Sequence, residues 1–281
     1  MKKEQPSFEY QLIDSGDFRK YERVGEFYLI RPATQAVWTP RQKNWSKVDA
    51  EFERFAGGDG KWTLHNKKLP ESWKIKTKTH GFVIRLTDFG HLGIFPEQNQ
   101  MWEKLHQFIT QHNVKNVLNL FAYTGGSTLA AATANAEVVH LDASKTSVNW
   151  ARENMAECGA ELKIRWIVDD VTKFCEREVR RGNTYDGIIL DPPSFGRGPN
   201  REAWQIEKHL VPLLDLLEKL KSKDFKFILL SAHSHGYTPC ALENLLKDFD
   251  HSCKFVSGEM TVNHTEDKRL LPSGAYCFGS V

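Results

Sequence analysis

The sequence predicts an α/β protein in which a doubly wound, mostly parallel sheet of seven strands follows a smaller β-rich domain. From about residue 97 onward, short apolar strands alternate with longer helical segments, which is the pattern of a parallel sheet with helices on both faces. Before that point, short alternating segments are separated by glycine and proline. We therefore predict two domains, residues 1–95 and residues 96–281.

The elements of the first domain are short. Residues 8–12 alternate between apolar and polar side chains, and residues 21–30 predict a hairpin that turns near Gly25. A short helix is predicted over residues 46–54, followed by a glycine-rich turn at residues 57–60. Two further strands are predicted at residues 73–75 and 82–86.

The elements of the second domain alternate regularly. A helix over residues 97–112 opens it, and a buried strand over residues 114–120 then leads into a glycine turn and an alanine-rich helix. The later helices are predicted at residues 127–134, 144–157, 171–181, 201–221 and 241–250. The later strands are predicted at residues 137–141, 162–168, 185–190, 225–230, 254–263 and 275–279.

Composition indicates an ordinary globular protein and argues against several other classes. Of the 281 residues, 40% are apolar and 26% are charged, and no window approaches the roughly 18 uninterrupted apolar residues of a membrane span. The first nine residues lack the apolar run of a signal peptide. The five cysteines have no C-x-x-C spacing, so neither a disulfide framework nor a zinc site is predicted. We expect a cytoplasmic protein without metal or membrane contact.

The net charge of +2 is unevenly distributed. Residues 1–95 carry 17 Lys and Arg against 12 Asp and Glu, whereas the rest of the chain carries 21 against 24. Four tryptophans, at positions 38, 45, 62 and 73, lie among these basic residues. Such a mixture suits phosphate contact and base stacking in nucleic-acid binding. Alternatively, the tryptophans form the core of a small domain and the lysines its solvated surface.

The strongest candidate ligand site is the glycine segment, residues 119–126, which reads Asn-Leu-Phe-Ala-Tyr-Thr-Gly-Gly. In an open α/β sheet, ligands bind beyond the carboxyl ends of the strands, where glycine permits close approach and the next helix offers unpaired N–H groups. The segment therefore predicts a nucleotide-type cofactor site. Its spacing departs from the dinucleotide fingerprint G-x-G-x-x-G, which makes NAD or FAD a poor fit.

Acidic residues follow three successive predicted strands of the second domain. Asp142 follows the second strand, Asp169 and Asp170 the third, and Asp191 the fourth. A carboxylate after the second strand is well placed to accept hydrogen bonds from ribose hydroxyls, and one after the third from an adenine amino group. The alternative for Asp142 or Asp170 is that it caps the helix that follows.

The last of these aspartates opens the proline turn, residues 191–195, which reads Asp-Pro-Pro-Ser-Phe. Two consecutive prolines fix φ and present carbonyl groups without competing N–H donors. With the aromatic ring of Phe195 beside it, this turn suits a flat substrate held by stacking and by hydrogen bonds to its edge. The alternative is a proline-stiffened loop without a role in binding.

Together, the glycine segment and the proline turn resemble those of class I S-adenosylmethionine-dependent methyltransferases. More narrowly, they are similar to the bacterial 23S rRNA methyltransferases that modify C5 of cytosine or N7 of guanine, and the likeness extends to residues 12–17 and 95–98. Longer relatives carry an N-terminal RNA-binding domain of the PUA type, for which this sequence has no room. The resemblance implies that residues 96–281 form a Rossmann-like methyltransferase domain that binds S-adenosyl-L-methionine, and that residues 1–95 recognise the substrate.

The resemblance also implies roles for single residues. Asp142 would hold the ribose of the cofactor and Asp170 its adenine, while Asp191 would position the acceptor base and could accept a proton. The implied catalytic set is Asp191, Pro192, Pro193 and Phe195. The implied cofactor-binding set is Phe95, Gln98, Asn119, Phe121, Tyr123, Thr124, Gly125, Asp142, Ala143, Ser144, Asp170, Val171 and Asp191.

One departure from that family concerns the acceptor atom. In the relatives that methylate C5 of cytosine, a cysteine in the loop after the fifth strand attacks C6. Here residues 230–236 contain no cysteine, and Cys240 falls at the start of a predicted helix, where a packing role is the alternative. A nitrogen acceptor has its own lone pair and needs alignment only. His233 and His235 in this loop could orient the base or accept a proton, or could simply be solvated.

We therefore expect a methyltransferase that acts on a base in RNA, in particular ribosomal RNA, at a nitrogen rather than at C5 of cytosine. Two alternatives stay open, namely a methyltransferase for a small molecule or a protein, and a non-catalytic RNA-binding protein that retains the fold. The connection at residues 263–269 is expected to be flexible and near the acceptor. The oligomeric state is open, a homodimer included.

Overall fold

The computed structural model describes residues 8–55, 59–199 and 202–281, which group into two compact units. The first unit contains the described residues up to Asn99 together with Thr261–Ser273, and the second contains Gln100–Met260 and Gly274–Val281. The first unit is therefore discontinuous along the chain. It includes a late segment that the sequence assigns to the second domain.

Five strands form the main sheet of the first unit, in the order in which they occur along the chain. The first three form an antiparallel meander, and the fourth runs parallel to the third and antiparallel to the fifth. Gly25, with φ of 64°, lies in the predicted hairpin turn, which is confirmed. These strands are β1 (Tyr10–Gly16), β2 (Arg19–Val24), β3 (Phe27–Pro32), β4 (Ala50–Arg54) and β5 (Gly60–Leu64), and a separate hairpin is made by β6 (Ser72–Lys76) and β7 (Gly81–Arg85).

The helix predicted over residues 46–54 is wrong, because residues 50–54 are strand β4. Phe52 pairs with Trp62 of β5, with the two rings 5.2 Å apart. A Cβ at Gly60 would lie 2.3 Å from the carbonyl oxygen of Glu53, so glycine is what lets β5 approach β4 this closely. The predicted glycine-rich turn falls partly on residues 57 and 58, which lie outside the described residues.

A buried carboxylate links β1 to the late segment of the first unit. Asp14, 1% exposed, accepts hydrogen bonds from the backbone N–H of Gln42 at 2.8 Å, from Trp45 Nε1 at 3.1 Å and from Arg269 Nη2 at 2.9 Å. Next to it, Ser15 Oγ lies 2.8 Å from Nε2 of His264. The connection for which flexibility is expected is thus tied to the first strand by several polar contacts.

The second unit contains a seven-stranded sheet with helices packed against it, which confirms the predicted fold class. The strands are β8 (Asn116–Leu120), β9 (Glu137–Asp142), β10 (Ile164–Val168), β11 (Gly187–Leu190), β12 (Phe195–Arg197), β13 (Ala203–Gln205), β14 (Phe227–Ala232), β15 (Lys254–Asn263) and β16 (Leu270–Ser280). The sheet order is β10-β9-β8-β11-β14-β16-β15; the first five strands in this order run parallel, and β16 is antiparallel to β14. The two short strands β12 and β13 form a separate hairpin.

The helices lie close to their predicted positions with one exception. The helix predicted from residue 201 begins at residue 206, because residues 203–205 form β13, and Arg201 itself lies outside the described residues. In the part of the chain that the structure describes, no helix combines the length and the hydropathy needed to cross a bilayer. The helices are α1 (Asn99–His112), α2 (Gly126–Thr133), α3 (Lys145–Ala156), α4 (Val171–Arg181), α5 (Ile206–Glu218) and α6 (Pro239–Phe249).

A layer of buried leucines across the sheet shows how three of the parallel strands are aligned. Leu120 on β8 is paired in register with Leu190 on β11, which is paired with Leu230 on β14, and all three are fully buried. Such a layer holds the three strands without slippage, since a shift of one residue would turn each side chain to the opposite face. The residues that follow the layer in each strand therefore lie along one edge of the sheet.

Candidate active site

The candidate site lies at the carboxyl edge of the parallel strands, where β8 has β9 on one side and β11 on the other. The chain order reverses at this point, and open α/β sheets bind ligands at such a reversal. The glycine segment follows β8, and the proline turn follows β11. The structure thus brings together the two segments that the sequence singles out.

The glycine segment has an unusual backbone. Phe121, Tyr123 and Gly125 have φ values of 56°, 47° and 88°, in the left-handed region that non-glycine residues rarely adopt. A Cβ at Gly125 would lie 3.1 Å from the Cβ of Ala151 on α3. Glycine therefore permits both the backbone turn and the close packing of the segment against α3.

Asp142 ends β9 and is oriented by backbone donors. Its Oδ2 accepts a hydrogen bond from the N–H of Tyr123 and its Oδ1 from the N–H of Ser144, both at 2.8 Å. Burial raises the pKa of this carboxyl, and the two N–H donors oppose that shift. Asp142 does not cap α3, because Ser144 is the cap and accepts from the N–H of Ser147.

Asp170 occupies the capping position that the sequence leaves open for it. Its Oδ1 accepts a hydrogen bond from the N–H of Lys173 at 2.9 Å at the start of α4. Its neighbour Asp169 pairs with Arg177. One oxygen of Asp170 thus stabilises the start of α4. The next residue, Val171, from the predicted cofactor-binding set, is 3% exposed and belongs to the apolar core.

A buried polar chain that the sequence does not reveal lies beneath the glycine segment. Nδ2 of Asn119 donates to Oγ1 of Thr128 at 2.8 Å, and that hydroxyl lies 2.9 Å from Nδ1 of His140. His140 is fully buried, and burial lowers its pKa to about 3, so its ring is neutral near pH 7. The signal that could have found it is its place on β9, two residues before Asp142 and on the same face.

Asp191 begins the proline turn and is contacted from the neighbouring strand end. Ser231 Oγ donates to Asp191 Oδ1 at 2.7 Å, and Nε2 of His233 lies 3.7 Å from the same oxygen. Both histidines in this loop are exposed, and His233 is the one that adjoins the predicted catalytic carboxylate. Ser231 was not anticipated from the sequence.

Trp204 contacts both predicted segments, although the sequence analysis does not identify it. Its Nε1 donates to the carbonyl oxygen of Pro193 at 2.8 Å, and its ring packs against Phe121 with centroids 4.7 Å apart. It is 7% exposed, whereas Phe195 on β12 is 55% exposed. A buried indole therefore fixes the proline turn and leaves an exposed aromatic ring beside it.

The other predicted residues are distributed over both units. Phe95 and Gln98 belong to the first unit, at the start and the end of the single-turn helix Pro96–Gln98. Cys240 is exposed in the first turn of α6. Over residues 8–55, 59–199 and 202–281, no group of three or more His, Cys, Asp and Glu side chains is arranged to hold a metal ion.

The sheet order, the glycine segment and the strand-end carboxylates define a Rossmann-like protein that binds a nucleotide-type cofactor. Residues 42–218 match a family model described as S-adenosylmethionine-dependent methyltransferase, and this match covers more than half of the chain. The chain belongs to the S-adenosylmethionine-dependent methyltransferases, and S-adenosyl-L-methionine is its cofactor.

Individual relatives agree with this family. Ribosomal RNA large subunit methyltransferase K/L of Pseudoalteromonas atlantica is 35% identical over 185 residues, which are 65% of this chain and 24% of the relative. The chain thus spans about a quarter of the length of the curated relatives it matches. A crystal structure of the SAM-dependent methyltransferase from Agrobacterium tumefaciens is 36% identical with a TM-score of 0.91, covering 97% of this chain and 90% of that one. A candidate methyltransferase complexed with S-adenosylhomocysteine, 19% identical with a TM-score of 0.77 over 98% of this chain and 76% of that one, has the same fold.

The hydrogen-bond acceptor at the end of β9 fits this cofactor. A ribose presents two neighbouring hydroxyl donors, and the carboxylate of Asp142 is already oriented by N–H donors while each of its oxygens can accept a further hydrogen bond. At the start of α2, Gly126 makes room for the ring of Trp102, since a Cβ at this position would lie 2.5 Å from Cζ2 of that ring.

Proposed function

We propose that this enzyme methylates a base in RNA, in particular ribosomal RNA, at a nitrogen rather than at C5 of cytosine. The observation that carries the proposal is the proline turn, which Trp204 fixes beside the glycine segment and which ends in the exposed ring of Phe195. A flat base could stack on that ring while its edge bonds to Asp191. The name of the relative from Pseudoalteromonas atlantica, a ribosomal RNA methyltransferase, supports RNA as the substrate.

For the cofactor, we assign the ribose to Asp142, the adenine to Asp170 and the methionine portion to residues 123–125. The backbone donors that orient Asp142 support the first assignment. Asp170 uses Oδ1 as a helix cap, which leaves Oδ2 for an amino group. The other members of the set in the second unit are Asn119, Phe121, Ala143, Ser144 and Val171, while Asp191 is assigned to the acceptor base.

Bound S-adenosyl-L-methionine supplies an electrophilic methyl group. The contribution of the chain is to align a nucleophile with it and to exclude other geometries. Transfer to C5 of cytosine would require a cysteine nucleophile, but residues 230–236 contain none, and Cys240 is exposed on α6. A nitrogen needs no covalent step, which supports nitrogen as the acceptor.

The proposal is tested by incubating the purified protein with methyl-labelled cofactor and either ribosomal RNA, transfer RNA or a mixture of small molecules and proteins. We expect label in ribosomal RNA, and nucleoside mass spectrometry should identify an N-methylated base. Label that appears only in small molecules or proteins would reject RNA as the substrate. Detection of 5-methylcytidine would reject nitrogen and direct attention to Cys240.

The basic first unit makes a second test possible. Lys61, Lys67 and Lys68 are exposed there, and their replacement by Glu should weaken retention of labelled RNA. If all three contact phosphates, the slope of log affinity against log salt should become shallower by about 2, at roughly 0.7 per phosphate for single strands. Lys223→Glu, at an exposed position of the second unit, is the matched control and should retain RNA like the unmodified protein.

A further inference from the structure

Three polar side chains meet where β11 and β14 end. The hydroxyl of Ser231 donates to Oδ1 of Asp191 at 2.7 Å, and Nε2 of His233 faces the same oxygen at 3.7 Å. Ser231 is 5% exposed, whereas the side chains of Asp191 and His233 are 25% and 32% exposed. A buried hydroxyl thus orients a carboxylate that lies beside an imidazole, and a substrate can still reach both of these groups.

On its Nδ1 side, the imidazole lies close to Gly274. A Cβ at Gly274 on β16 would lie 3.0 Å from Nδ1 of His233 and 2.8 Å from the carbonyl oxygen of Ala232, at a φ of 152°. The glycine therefore lets the Nδ1 edge of the ring pack against the backbone of β16, with Nε2 directed at Asp191. Met260 on β15 lies beside Gly274, and neither residue titrates. The titratable residues on the loop of His233 itself are His235 and Tyr237.

We propose that Asp191 and His233 form a proton-accepting pair that Ser231 orients, and that the methyl acceptor is an exocyclic amino nitrogen of the base. The inference rests on the proposed function and specifies its acceptor atom. A ring nitrogen such as N7 of guanine has no hydrogen to lose, so it would need no such pair. An amino nitrogen does need one, since it carries a hydrogen that must leave.

The proposed step balances in atoms and charge. The lone pair of the amino nitrogen forms the new N–C bond, and the electron pair of the breaking C–S bond stays with sulfur. One N–H bond then breaks, its electrons remain on nitrogen, and the proton passes to Nε2 of His233, directly or by way of Asp191. The positive charge that sulfur loses is thus taken up by the imidazole, which faces the carboxylate of Asp191.

The first test needs no turnover. The imidazole pKa values of His233 and His235 are measured by NMR titration in the cofactor-free protein and in Asp191→Asn. A carboxylate beside an imidazole favours its charged form, so we expect the pKa of His233 to fall in the variant while that of His235 is unchanged. An unchanged pKa of His233 would show that the two groups are not coupled and would overturn the pair.

The second test separates a proton-accepting role from a structural one. His233→Gln should lower kcat by on the order of 10²-fold, the usual size for a lost general base, while calorimetry gives the same cofactor affinity. In the unmodified enzyme kcat should rise with pH as His233 loses its proton, and this limb should be absent in the variant. Wild-type kcat in His233→Gln, or an intact limb, would refute the role. His235→Gln is the control and should behave like the unmodified enzyme.

The orienting hydroxyl and the product are tested separately. Ser231→Ala should lower kcat, and Ser231→Thr, which keeps a hydroxyl, should restore it; failure of threonine to restore it would argue against orientation by the hydroxyl. The product should be methylated on an exocyclic amine. A ring-nitrogen or C5 product would overturn this inference and leave RNA methylation standing, whereas no methyl transfer to RNA would reject the proposed function itself.

Discussion

Asp142 and Asp191 are both strand-end carboxylates, yet their surroundings suit them to different tasks. Backbone N–H groups orient Asp142, and these donors can move only if the backbone moves with them. Asp191 is instead contacted by the side chains of Ser231 and His233. Such side chains can change position when a substrate arrives or a proton moves. A fixed carboxylate suits the resident cofactor, and an adjustable one suits the acceptor.

Asp142→Ala should therefore weaken cofactor binding, whereas Asp191→Asn should not. A hydrogen bond to a charged group contributes about 1.5–3 kcal/mol, so the dissociation constant should rise roughly tenfold to a hundredfold. Calorimetric titration of both variants with S-adenosyl-L-methionine checks this. Equal affinity in Asp142→Ala and the unmodified protein would contradict the assignment of Asp142 to the ribose.

The residues that the sequence analysis identifies and those it misses differ in a physical respect. Asp142 and Asp191 are visible because their position follows from one strand and its end. Ser231 contacts Asp191 and Trp204 packs against Phe121, each far away along the chain, and those contacts depend on strand register. No local pattern encodes that register, so a single sequence does not reveal them.

At the scale of elements, the confirmed strands have a local sequence pattern, whereas the missed strands depend on contacts with other strands. The central parallel strands β11 and β14 are fully buried, mostly apolar runs between helices, and their pattern is local. The side chains of β5 are half-buried or exposed, and its Trp62 packs against Phe52 of the neighbouring strand β4. The sequence predicts β13 as part of a helix, because residues 203–205 are compatible with either structure until β12 pairs with them.

Trp204→Phe should impair use of the methyl acceptor more than binding of the cofactor. Phenylalanine retains a ring against Phe121 but cannot donate to the carbonyl oxygen of Pro193, so the proline turn loses an anchor worth about 1 kcal/mol. We expect a several-fold rise in KM for RNA, or a comparable fall in kcat, with cofactor affinity within twofold. Steady-state kinetics and calorimetry provide the two measurements.

The matched control for this change is Trp166→Phe, on β10 next to His140. It removes an indole N–H elsewhere in the second unit and should leave KM for RNA unchanged. An equal effect of both substitutions on KM would indicate general loosening of the unit, and would contradict a specific link between Trp204 and the proline turn.

At the scale of the whole molecule, stability at low pH should depend on a buried ion pair in the first unit. Glu22 is fully buried and accepts hydrogen bonds from Arg31 Nη2 at 3.0 Å and from the hydroxyl of Tyr10 at 2.8 Å. Burial alone would raise the pKa of Glu22, but the charges of Arg31 and Lys20 and the hydrogen bonds from Arg31 and Tyr10 together outweigh burial and lower the pKa from 4.5 to about 2. Its stabilising contribution is therefore complete above about pH 4.5.

As the pH falls from 4.5 toward 2, that contribution should be lost, since protonation is more favourable in the unfolded chain. Hydrogen exchange of the β2 and β3 amides, followed against pH, measures the loss. Glu22→Gln should destabilise these strands by about 3–5 kcal/mol at pH 7, because it leaves the buried charge of Arg31 without its carboxylate partner. Glu51→Gln, in the exposed pair with Arg19, is the control and should cost under about 1 kcal/mol.

The bond between Asp14 and Arg269 joins residues 255 positions apart within the first unit. During translation, β1 emerges from the ribosome long before the segment that completes its surroundings. Until Arg269 has been synthesised, the carboxylate of Asp14 lacks its cationic partner, while most of the second unit is already available to fold. The part of the protein that is made first is therefore expected to be among the last to mature.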